Sequence, residues 1–533
     1  MILQRIGNRG INLGTFFDRA AAAHPSNTIA FDHDLPLAPQ LGRQATVVQA
    51  ADAVARIADQ LRAVGVGPGD KAVVHKSNAF DVTLAACAIV RAGATPILLS
   101  PKLDGETVKA LLRRISTARF PGLSPDLPVL LTDAAKLTGE LEGDEVFALA
   151  KAVLVPSGPH PRAIALLDQA VPAERGAAEA FGLHQPTLVT HTSGTTGLPK
   201  LAVHTNFTLQ ARFRPQFWAT RLVPARQPLV MHVSFVHSRL FTFVPISLLR
   251  GFPLVVLADD DPKAAAELFL AHRPVGLEAH PNTFMLWEEL ADDPRKPLSS
   301  VKYYSSTFDA IHPRTVRRLL GASAHKRPLF VQLYGQSEIG PSVFSWFTKK
   351  SVSEDGGRFV GFPFPGMTDS RVVARGGRKP TKENPGFIEI RSDGRVKTYL
   401  GEDERYDKQV SPDGWWRMGD VGYKDQRGAL YLLDREVDLI EGFGSTLEAE
   451  DKLFALFDEL TEVIIVPGPS GKALPVVCTK DDRPLDARRW ELAVRSLPPM
   501  DPPLHCKLEE LPQTATTKIK RLELARALAD RGW

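Results

Sequence analysis

Residues 192–200 constrain this chain more than any other stretch. They read Thr-Ser-Gly-Thr-Thr-Gly-Leu-Pro-Lys, which combines four hydroxyl side chains, two glycines and a final lysine. Glycines let backbone N–H groups approach a ligand closely, hydroxyls donate hydrogen bonds, and a lysine supplies positive charge. Because the β-prone run 187–190 precedes the stretch, the pattern predicts a strand that leads into a phosphate-binding loop.

This stretch has two other interpretations. It is not a Walker P-loop, because that motif places Gly-Lys-Ser/Thr in succession, whereas Leu198 and Pro199 separate Gly197 from Lys200 here. A polar surface turn would have a similar composition. The preceding strand and two motifs further along the chain favour the phosphate site over the turn.

The second motif is Tyr-Gly-Gln-Ser-Glu at residues 334–338, at the end of a β-prone run. Ligands of open α/β sheets bind at the carboxyl ends of strands. An aromatic face can stack on a purine, a hydroxyl can bond phosphate, and a carboxylate can hold Mg²⁺. A helix N-cap followed by a structural glutamate is the alternative.

The third motif is Gly-Trp-Trp-Arg-Met-Gly-Asp at residues 414–420. An aspartate after a glycine at a strand end suits a two-oxygen grip on the vicinal hydroxyls of a ribose, as in dinucleotide sites. A simple turn is the alternative interpretation of the Gly-Asp pair.

Strand and helix patterns alternate in the first part of the chain. Helices are predicted over 47–63 and 80–92, and strands over 71–75 and 94–99, whereas residues 1–47 are expected to be irregular. Such alternation predicts a layered α/β fold with parallel strands. Further along, residues 231–237 are predicted as a strand leading to a site, and residues 361–366 as a turn.

Composition excludes several classes of function. A net charge of +4 over 533 residues provides no concentrated basic face for nucleic acid. The three cysteines are far apart, so neither a metal site nor a disulfide framework is predicted, and a reducing cytoplasm is expected. The most apolar region, 241–257, is interrupted by prolines, a glycine and an arginine, and falls short of the roughly 20 residues of a membrane span.

Together the three motifs resemble those of the adenylate-forming superfamily, in its acyl- and aryl-CoA ligase (AMP-dependent synthetase) branch. The resemblance covers nearly the whole chain. It implies a large multi-layer α/β N-terminal domain with parallel and mixed sheets, residues 1–434, and a small mobile α+β C-terminal domain, residues 435–533. It also implies activation of a carboxylic acid by ATP to acyl-AMP, with release of pyrophosphate and help from Mg²⁺.

The resemblance also implies roles for individual residues. Catalytic roles fall to Lys518, Glu338 and Thr195. The residues implied to bind ATP are Thr192, Ser193, Gly194, Thr196, Gly197, Lys200, Tyr334, Gly335, Gln336, Ser337, Asp420 and Arg435. Glu338 and Thr196 would hold the metal, and His237, Ser305, Ser306 and Thr307 would line the acid pocket.

Some of these assignments have structural alternatives. A lone histidine such as His237 also occurs as a satisfied core residue. Lys518 follows Thr517, where the family usually has glycine, so a solvated lysine in a basic tail is the alternative.

The segment that follows residue 435 departs from the family pattern. The lysine or aspartate of the family hinge is replaced by Val437, a lysine by Glu441, and a basic or amide residue by Thr446. Since Glu441 would repel polyanionic CoA, we hypothesise an intact adenylating half and an impaired or rebuilt thiol-transfer half. Transfer would then fall to a partner enzyme that carries CoA or a carrier arm, or to another nucleophile.

Two alternatives remain open at this point: a complete acid-CoA ligase with a rebuilt loop, and a catalytically silent relative that binds acyl groups or nucleotides. The acid is expected to be bulky and apolar, of the aryl, fatty or terpenoid type. An amino acid is disfavoured because residues 230–236 contain no aspartate to meet its ammonium group.

Overall fold

The structure is a computed structural model. It describes residues 11–192, 197–223, 226–307, 311–352, 358–468, 470–513 and 519–530. The chain divides into two compact units. The first comprises Met1–Ala279, Gln336–Gly340 and Ser392–Lys408, and the second His280–Gly335, Pro341–Arg391 and Gln409–Trp533.

The first unit contains a seven-stranded sheet that is parallel except for its last pair of strands. Its order is Ile164–Ala165, Ala152–Val155, Val129–Thr132, Lys71–His75, Thr95–Leu98, Pro186–His191 and Leu201–Thr205. A second set of paired strands runs in the order Gln44–Thr46, Thr28–Phe31, Leu254–Val256, Leu229–His232 and Gly276–Ala279. Within this second set only Gln44–Thr46 is antiparallel to its neighbour.

Helices cover the strands of the first unit. They are Phe16–Ala23, Val47–Ala63, Asp81–Arg91, Gly105–Thr117, Ala134–Leu137, Glu145–Ala148, Asn206–Ala219, Leu240–Leu249, Pro262–His272 and Asp403–Asp407. The helix Val47–Ala63 has the predicted bounds because Thr46 and Gln49 form a capping box at its start. The strand Lys71–His75 is buried along its whole length, as a strand with helices on both faces must be.

The second unit contains most of an eight-strand series and a separate three-stranded sheet. The series runs Thr368–Val373, Gly386–Ser392, Trp416–Lys424, Leu430–Arg435, Phe359–Pro363, Gly340–Phe347, Leu329–Gln336 and Tyr303–Ser306. The three-stranded sheet is Leu460–Pro467, Ala473–Thr479 and Leu504–His505. Helices of this unit are Pro281–Leu286, Pro313–Ala322, Thr446–Leu456, Ala487–Val494 and Arg521–Asp530.

Both faces of the three-stranded sheet are covered by apolar side chains. Val463 and Ile465 pack in one core cluster with Trp490, whereas Ile464 and Val466 pack in another with Leu528. This alternation follows from the two-residue period of a strand. The predicted α/β class, with parallel and mixed sheets and an α+β C-terminal part, is therefore confirmed. The boundary at residues 434 and 435, and the mobility of the C-terminal part, stay predictions.

Three local predictions were wrong in whole or in part. The described part of residues 1–47 is not irregular, because Phe16–Ala23 is a helix and Thr28–Phe31 pairs with the remote strand Leu254–Val256. The strand expected over 231–237 is Leu229–His232, and the chain turns after it. The turn expected at 361–366 is right only in its second half, because residues 361–363 belong to the strand Phe359–Pro363 and the turn lies at 365–367.

Gly361 explains why residues 361–363 were assigned to the turn instead of the strand. It has φ +98° at a register shift in the strand pairing, and a Cβ atom there would lie 1.9 Å from the Phe344 carbonyl oxygen. Glycine is therefore required at this position, where the strand forms a bulge and a neighbouring backbone approaches closely.

Among the residues that the structure describes, no helix combines the length and apolar character that crossing a membrane requires.

Candidate active site

The predicted phosphate loop connects two paired strands of the first unit, Pro186–His191 and Leu201–Thr205. Its base is closed by two hydrogen bonds: the Thr192 N–H donates to the Lys200 carbonyl at 2.9 Å, and the Lys200 N–H donates to Thr192 Oγ1 at 3.4 Å. Gly197 has φ +131°, which favours glycine. Ser193, Gly194, Thr195 and Thr196 lie outside the described residues.

His191 anchors the start of this loop, and the sequence analysis did not identify it. Its Nδ1 donates to the Thr192 carbonyl at 2.8 Å, and its Nε2 accepts from the Ser100 N–H at 3.0 Å. Burial lowers the pKa of His191. The imidazole is therefore neutral with its proton on Nδ1, and acts as a fixed link between the ends of two neighbouring strands.

Lys200 and Glu338, both predicted site residues of the first unit, are in direct contact. Lys200 Nζ lies 2.9 Å from Glu338 Oε1 and 3.0 Å from the Tyr399 hydroxyl oxygen. The Tyr399 hydroxyl donates to the same Glu338 Oε1 at 2.5 Å. Burial, and then the neighbouring Glu338 carboxylate, raise the pKa of Tyr399, so its hydroxyl keeps its proton and donates.

Arg212 holds the backbone behind Glu338. From the helix Asn206–Ala219, its guanidinium donates to the carbonyls of Ser337 at 2.9 Å and Glu338 at 3.1 Å. It also donates to the Gly394 carbonyl at 2.7 Å and to Ser238 Oγ at 3.2 Å. Burial lowers the pKa of Arg212, against the opposing effect of Glu338. In the described part of the chain no carboxylate lies within ion-pair distance of this guanidinium.

Two glycines make room for this arginine. A Cβ atom on Gly340, which has φ +73°, would lie 2.7 Å from Arg212 Nε, and one on Gly394 would lie 2.8 Å from Arg212 Cγ. The segment after the Glu338 motif therefore needs glycine for two reasons, its left-handed backbone and its proximity to Arg212.

His237 lies in the turn after the strand Leu229–His232. Its Nδ1 accepts from the Arg239 N–H at 3.0 Å, and its Nε2 lies 3.5 Å from Ser337 Oγ. Since Nδ1 accepts, the neutral ring carries its proton on Nε2, which points it at the Ser337 hydroxyl. The structure thus brings two predicted site residues of the first unit together.

A buried ion pair lies beside His237 in the chain. Arg239 donates to both carboxylate oxygens of Glu278, at 2.7 and 3.0 Å, and to the side-chain carbonyl of Gln216. Both charged side chains are buried. The sequence analysis missed this arginine, whose partners lie 23 and 39 residues away.

In the second unit, Tyr334 and Asp420 are in contact, since the tyrosine hydroxyl donates to Asp420 Oδ2 at 2.5 Å. Burial and the aspartate raise the pKa of Tyr334. Asp420 is opposite Arg435 in the strand register. It was expected at a strand end, which is wrong: it lies within the strand Trp416–Lys424, near a register shift at Val421 and Gly422.

The predicted pocket residues Ser305 and Ser306 lie on the strand Tyr303–Ser306, in parallel register with Val331 and Gln332. Thr307 follows at the end of this strand, and its buried Oγ1 has no hydrogen-bond partner in the described part of the chain. Gly335 and Gln336 end the strand Leu329–Gln336. Gly335 belongs to the second unit, and Gln336 belongs to the first. Lys518 lies outside the described residues.

The Glu338 carboxylate fits a magnesium ion that arrives with a nucleotide. Within the described ranges, no group of three or more His, Cys, Asp or Glu residues could hold a metal. Mg²⁺ is usually bound through one or two carboxylates together with substrate phosphates and water. The described donors to the Glu338 carboxylate, Lys200 and Tyr399, both contact Oε1, which leaves Oε2 for an ion.

Comparison with known proteins agrees with this chemistry. The family described as AMP-binding enzyme matches residues 17–400. The chain therefore belongs to the AMP-binding enzyme family, whose ligases form acyl-adenylates from small carboxylic acids and use ATP. This confirms the resemblance found in the sequence.

Individual relatives add detail. The chain is 42% identical, over 99% of its length and 97% of the relative's, to a 3-amino-2-hydroxy-4-methoxybenzoate diazotase of Streptomyces cremeus. It is 26% identical, over 96% of its length and 95% of the relative's, to a long-chain-fatty-acid–CoA ligase of Thermus thermophilus. The fold matches ATP-bound MatB from Rhodopseudomonas palustris with a TM-score of 0.78 and 20% identity, covering 98% of this chain and 99% of that one.

Proposed function

We propose that this chain is an ATP-dependent diazotase, which joins nitrite to the amino group of an aminobenzoate-type arylamine and converts ATP to AMP and pyrophosphate. The observation that carries the proposal is the 42% identity to an aminobenzoate diazotase over almost the full length of both chains. It refines the hypothesis that a nucleophile other than CoA receives the activated group.

The segment after residue 435 supports an acceptor other than CoA. Val437 and Glu441 are exposed, and neither attracts a polyanion. Thr446 is buried, and its hydroxyl donates to Asp434 Oδ1 at 2.5 Å, so it has a structural partner rather than a free polar group. The three positions that depart from the family pattern therefore provide no binding charge for CoA.

The chemistry of an adenylate-forming enzyme suits this reaction. Nitrite is a poor electrophile because it is an anion. Its oxygen would attack the α-phosphorus of ATP, the bond to the β-phosphate would break, and pyrophosphate would leave. The arylamine nitrogen would then attack the nitroso nitrogen, the N–O bond to AMP would break, and one proton would be released. The resulting N-nitrosamine takes up that proton and loses water to give the diazonium ion.

The residues assigned to these steps follow the predicted roles. In the first unit, Lys200 and the phosphate loop would neutralise the β- and γ-phosphates, and Glu338 would hold Mg²⁺, which neutralises charge that develops on the phosphates. In the second unit, Asp420 would hold the ribose and Lys518 would meet the reacting α-phosphate. None of these steps requires a general base, because an arylamine is uncharged and nucleophilic at neutral pH.

The test incubates the purified full-length chain with ATP, Mg²⁺, nitrite and a panel of aminobenzoates, and traps diazonium product with a phenol that couples to an azo dye. We expect AMP, pyrophosphate and dye to accumulate together over many turnovers only when nitrite and an amine are both present. Omission of ATP is the matched control for non-enzymatic diazotisation. AMP formation with no azo product from any amine would overturn the proposal.

A CoA ligase acting on a bulky aryl or fatty acid is the second candidate, favoured by the similarity to the long-chain-fatty-acid–CoA ligase. The same incubation with CoA and an acid in place of nitrite and amine separates the two functions. Rapid formation of a CoA thioester without a partner enzyme would favour the second candidate. Glu441→Lys should then increase the rate of thioester formation if the negative charge of Glu441 repels CoA.

A further inference from the structure

The group of side chains around Glu338 contains one residue that no motif indicated. Tyr399 belongs to the segment Ser392–Lys408, which is remote in sequence from the rest of the first unit. It is fully buried, and its hydroxyl contacts both the Glu338 carboxylate and the Lys200 ammonium. Its ring also lies beneath the lysine, with Nζ 4.7 Å from the ring centroid.

We propose that Tyr399 is a positioning residue for adenylation: its hydroxyl holds the Glu338 carboxylate in the orientation in which Oε2 can receive Mg²⁺. The inference rests on the proposed function only in its first, adenylate-forming step. It is the same whether the activated oxyanion is nitrite or a carboxylate.

The contacts show why a second donor is needed. The Glu338 carboxylate receives hydrogen bonds from Lys200 and Tyr399 on one oxygen. The phosphates of ATP carry more negative charge than one carboxylate, so they compete for the Lys200 ammonium. The Tyr399 side chain is a phenol, which is uncharged and keeps its proton at neutral pH. It therefore remains as the donor that holds Glu338 when the lysine moves to phosphate.

The backbone at both ends of this contact is fixed independently. Arg212 binds the carbonyls of Ser337 and Glu338, and the Val396 N–H donates to the Glu338 carbonyl at 2.8 Å. On the other side, Tyr399 is joined to the strand Leu201–Thr205 by a bridge at Ala202. Loss of the tyrosine hydroxyl would therefore free the carboxylate without displacing the chain.

Tyr399→Phe removes one oxygen atom, and Tyr406→Phe is its matched control. Tyr406 lies in the same segment, its ring meets that of Tyr399 edge-on at 5.5 Å, and its buried hydroxyl donates to the Val396 carbonyl at 2.6 Å. Both variants lose one buried tyrosine hydroxyl, and only the first loses contacts with Glu338 and Lys200. Two quantities are measured. Calorimetric titration gives the affinity for a non-cleavable ATP analogue, in the presence of Mg²⁺ and in the presence of a chelator. Pyrophosphate exchange gives the Mg²⁺ concentration of half-saturation.

A hydrogen bond to a charged group is worth about tenfold to a hundredfold in an equilibrium constant. We expect Tyr399→Phe to raise the Mg²⁺ half-saturation by about that factor, and to weaken analogue binding in Mg²⁺ but not in chelator. Tyr406→Phe should match the wild type in both. The inference is overturned if the two variants behave alike, whether both show these changes in Mg²⁺ half-saturation and analogue binding or neither does. Failure of the wild type to bind the analogue in Mg²⁺ would instead overturn the proposed function.

Discussion

Arg212 is a buried cation that is stabilised by carbonyl groups instead of a carboxylate. Removing a guanidinium from water costs several kcal/mol unless hydrogen bonds and opposite charge compensate. Compensation comes from four hydrogen bonds, to the carbonyls of Ser337, Glu338 and Gly394 and to Ser238 Oγ, and the Glu338 carboxylate adds attraction from a distance. The arrangement ties the backbone of the predicted metal residue to a helix.

The Gly340→Ala variant tests this tie. Its Cβ atom would meet Arg212 Nε at 2.7 Å on a backbone with φ +73°, so the arginine and the Glu338 segment must shift. We expect a loss of about 1–3 kcal/mol in the free energy of unfolding, together with a large loss of pyrophosphate exchange. Gly366→Ala controls for the backbone conformation alone, because Gly366 has φ +67° and open space around it. Equal effects of the two variants, measured by urea unfolding and exchange, would contradict the role of Arg212.

A second prediction concerns the charge of Glu338. Glu338→Gln keeps the shape of the side chain and an acceptor for Tyr399, but it removes the charge that attracts Mg²⁺. We expect pyrophosphate exchange to fall by about 10²–10³-fold, the usual effect of losing one electrostatic group. Glu402→Gln, which breaks a pair with Arg114 in the same unit, is the control and should keep most of the exchange rate. An active Glu338→Gln enzyme would remove Glu338 from the mechanism.

At the scale of elements, the helix Thr446–Leu456 is fixed to its surroundings in the second unit at its start and in its middle. Ser445 caps it by accepting from the Glu448 N–H at 3.0 Å, and Asp434 accepts from the Thr446 N–H at 3.0 Å. Further along, Asp451 is buried between His312 and Arg358 at 2.8 Å from each. The helix that follows the predicted hinge is thus held by two buried carboxylates.

Asp434 predicts a pH dependence of stability. Burial, with a further effect of Glu450, raises the pKa of Asp434 to about 7, although the Thr446 hydrogen bonds and Arg521 oppose it. The folded chain therefore keeps a proton that the unfolded chain releases near its ordinary value of 3.8. This contribution to stability is present at low pH and is lost as pH rises through about 7.

Asp434→Asn imitates the protonated side chain and should remove that dependence. The urea midpoint of the variant minus that of the wild type should therefore increase between about pH 5 and about pH 8. Glu459→Gln, at a surface pair with Arg489, should keep a constant difference from the wild type over the same range. A constant difference for Asp434→Asn as well would contradict the raised pKa.

Asp451→Ala should loosen this helix locally. Arg358 and His312 lower the pKa of Asp451 against the effect of burial, so the carboxylate is charged in the folded chain. Its removal leaves the buried Arg358 without its counter-charge, which costs about 3–5 kcal/mol. We expect amide hydrogen exchange in residues 446–456 to accelerate strongly, while Glu459→Gln leaves it unchanged. Unaltered protection in Asp451→Ala would show that other contacts hold the helix.

At the scale of the whole molecule, the sequence predicted best what depends on local pattern. The helix Val47–Ala63 and the strand Lys71–His75 have the expected bounds, because apolar periodicity and capping residues determine them. The motif residues were found for a similar reason, since each motif is continuous in the chain.

What the sequence could not provide depends on contacts between remote residues. Thr28–Phe31 is a strand only because it pairs with Leu254–Val256. Arg212 and Tyr399 show no motif of their own, since their contacts with Glu338 join residues 126 and 61 positions apart. Asp420 was assigned to a strand end because its glycine suggested a turn, whereas Gly419 adopts φ +72° within the strand.

The most direct measurement of the central claim follows oxygen from nitrite into AMP. If a nitrite oxygen attacks the α-phosphorus of ATP and the amine then breaks the N–O bond, that oxygen stays on the phosphate. With ¹⁸O-labelled nitrite, ATP and an aminobenzoate, mass spectrometry should therefore find one ¹⁸O atom in AMP. Unlabelled AMP formed alongside diazonium product, or label that enters AMP only from an ¹⁸O-labelled carboxylate, would contradict the account.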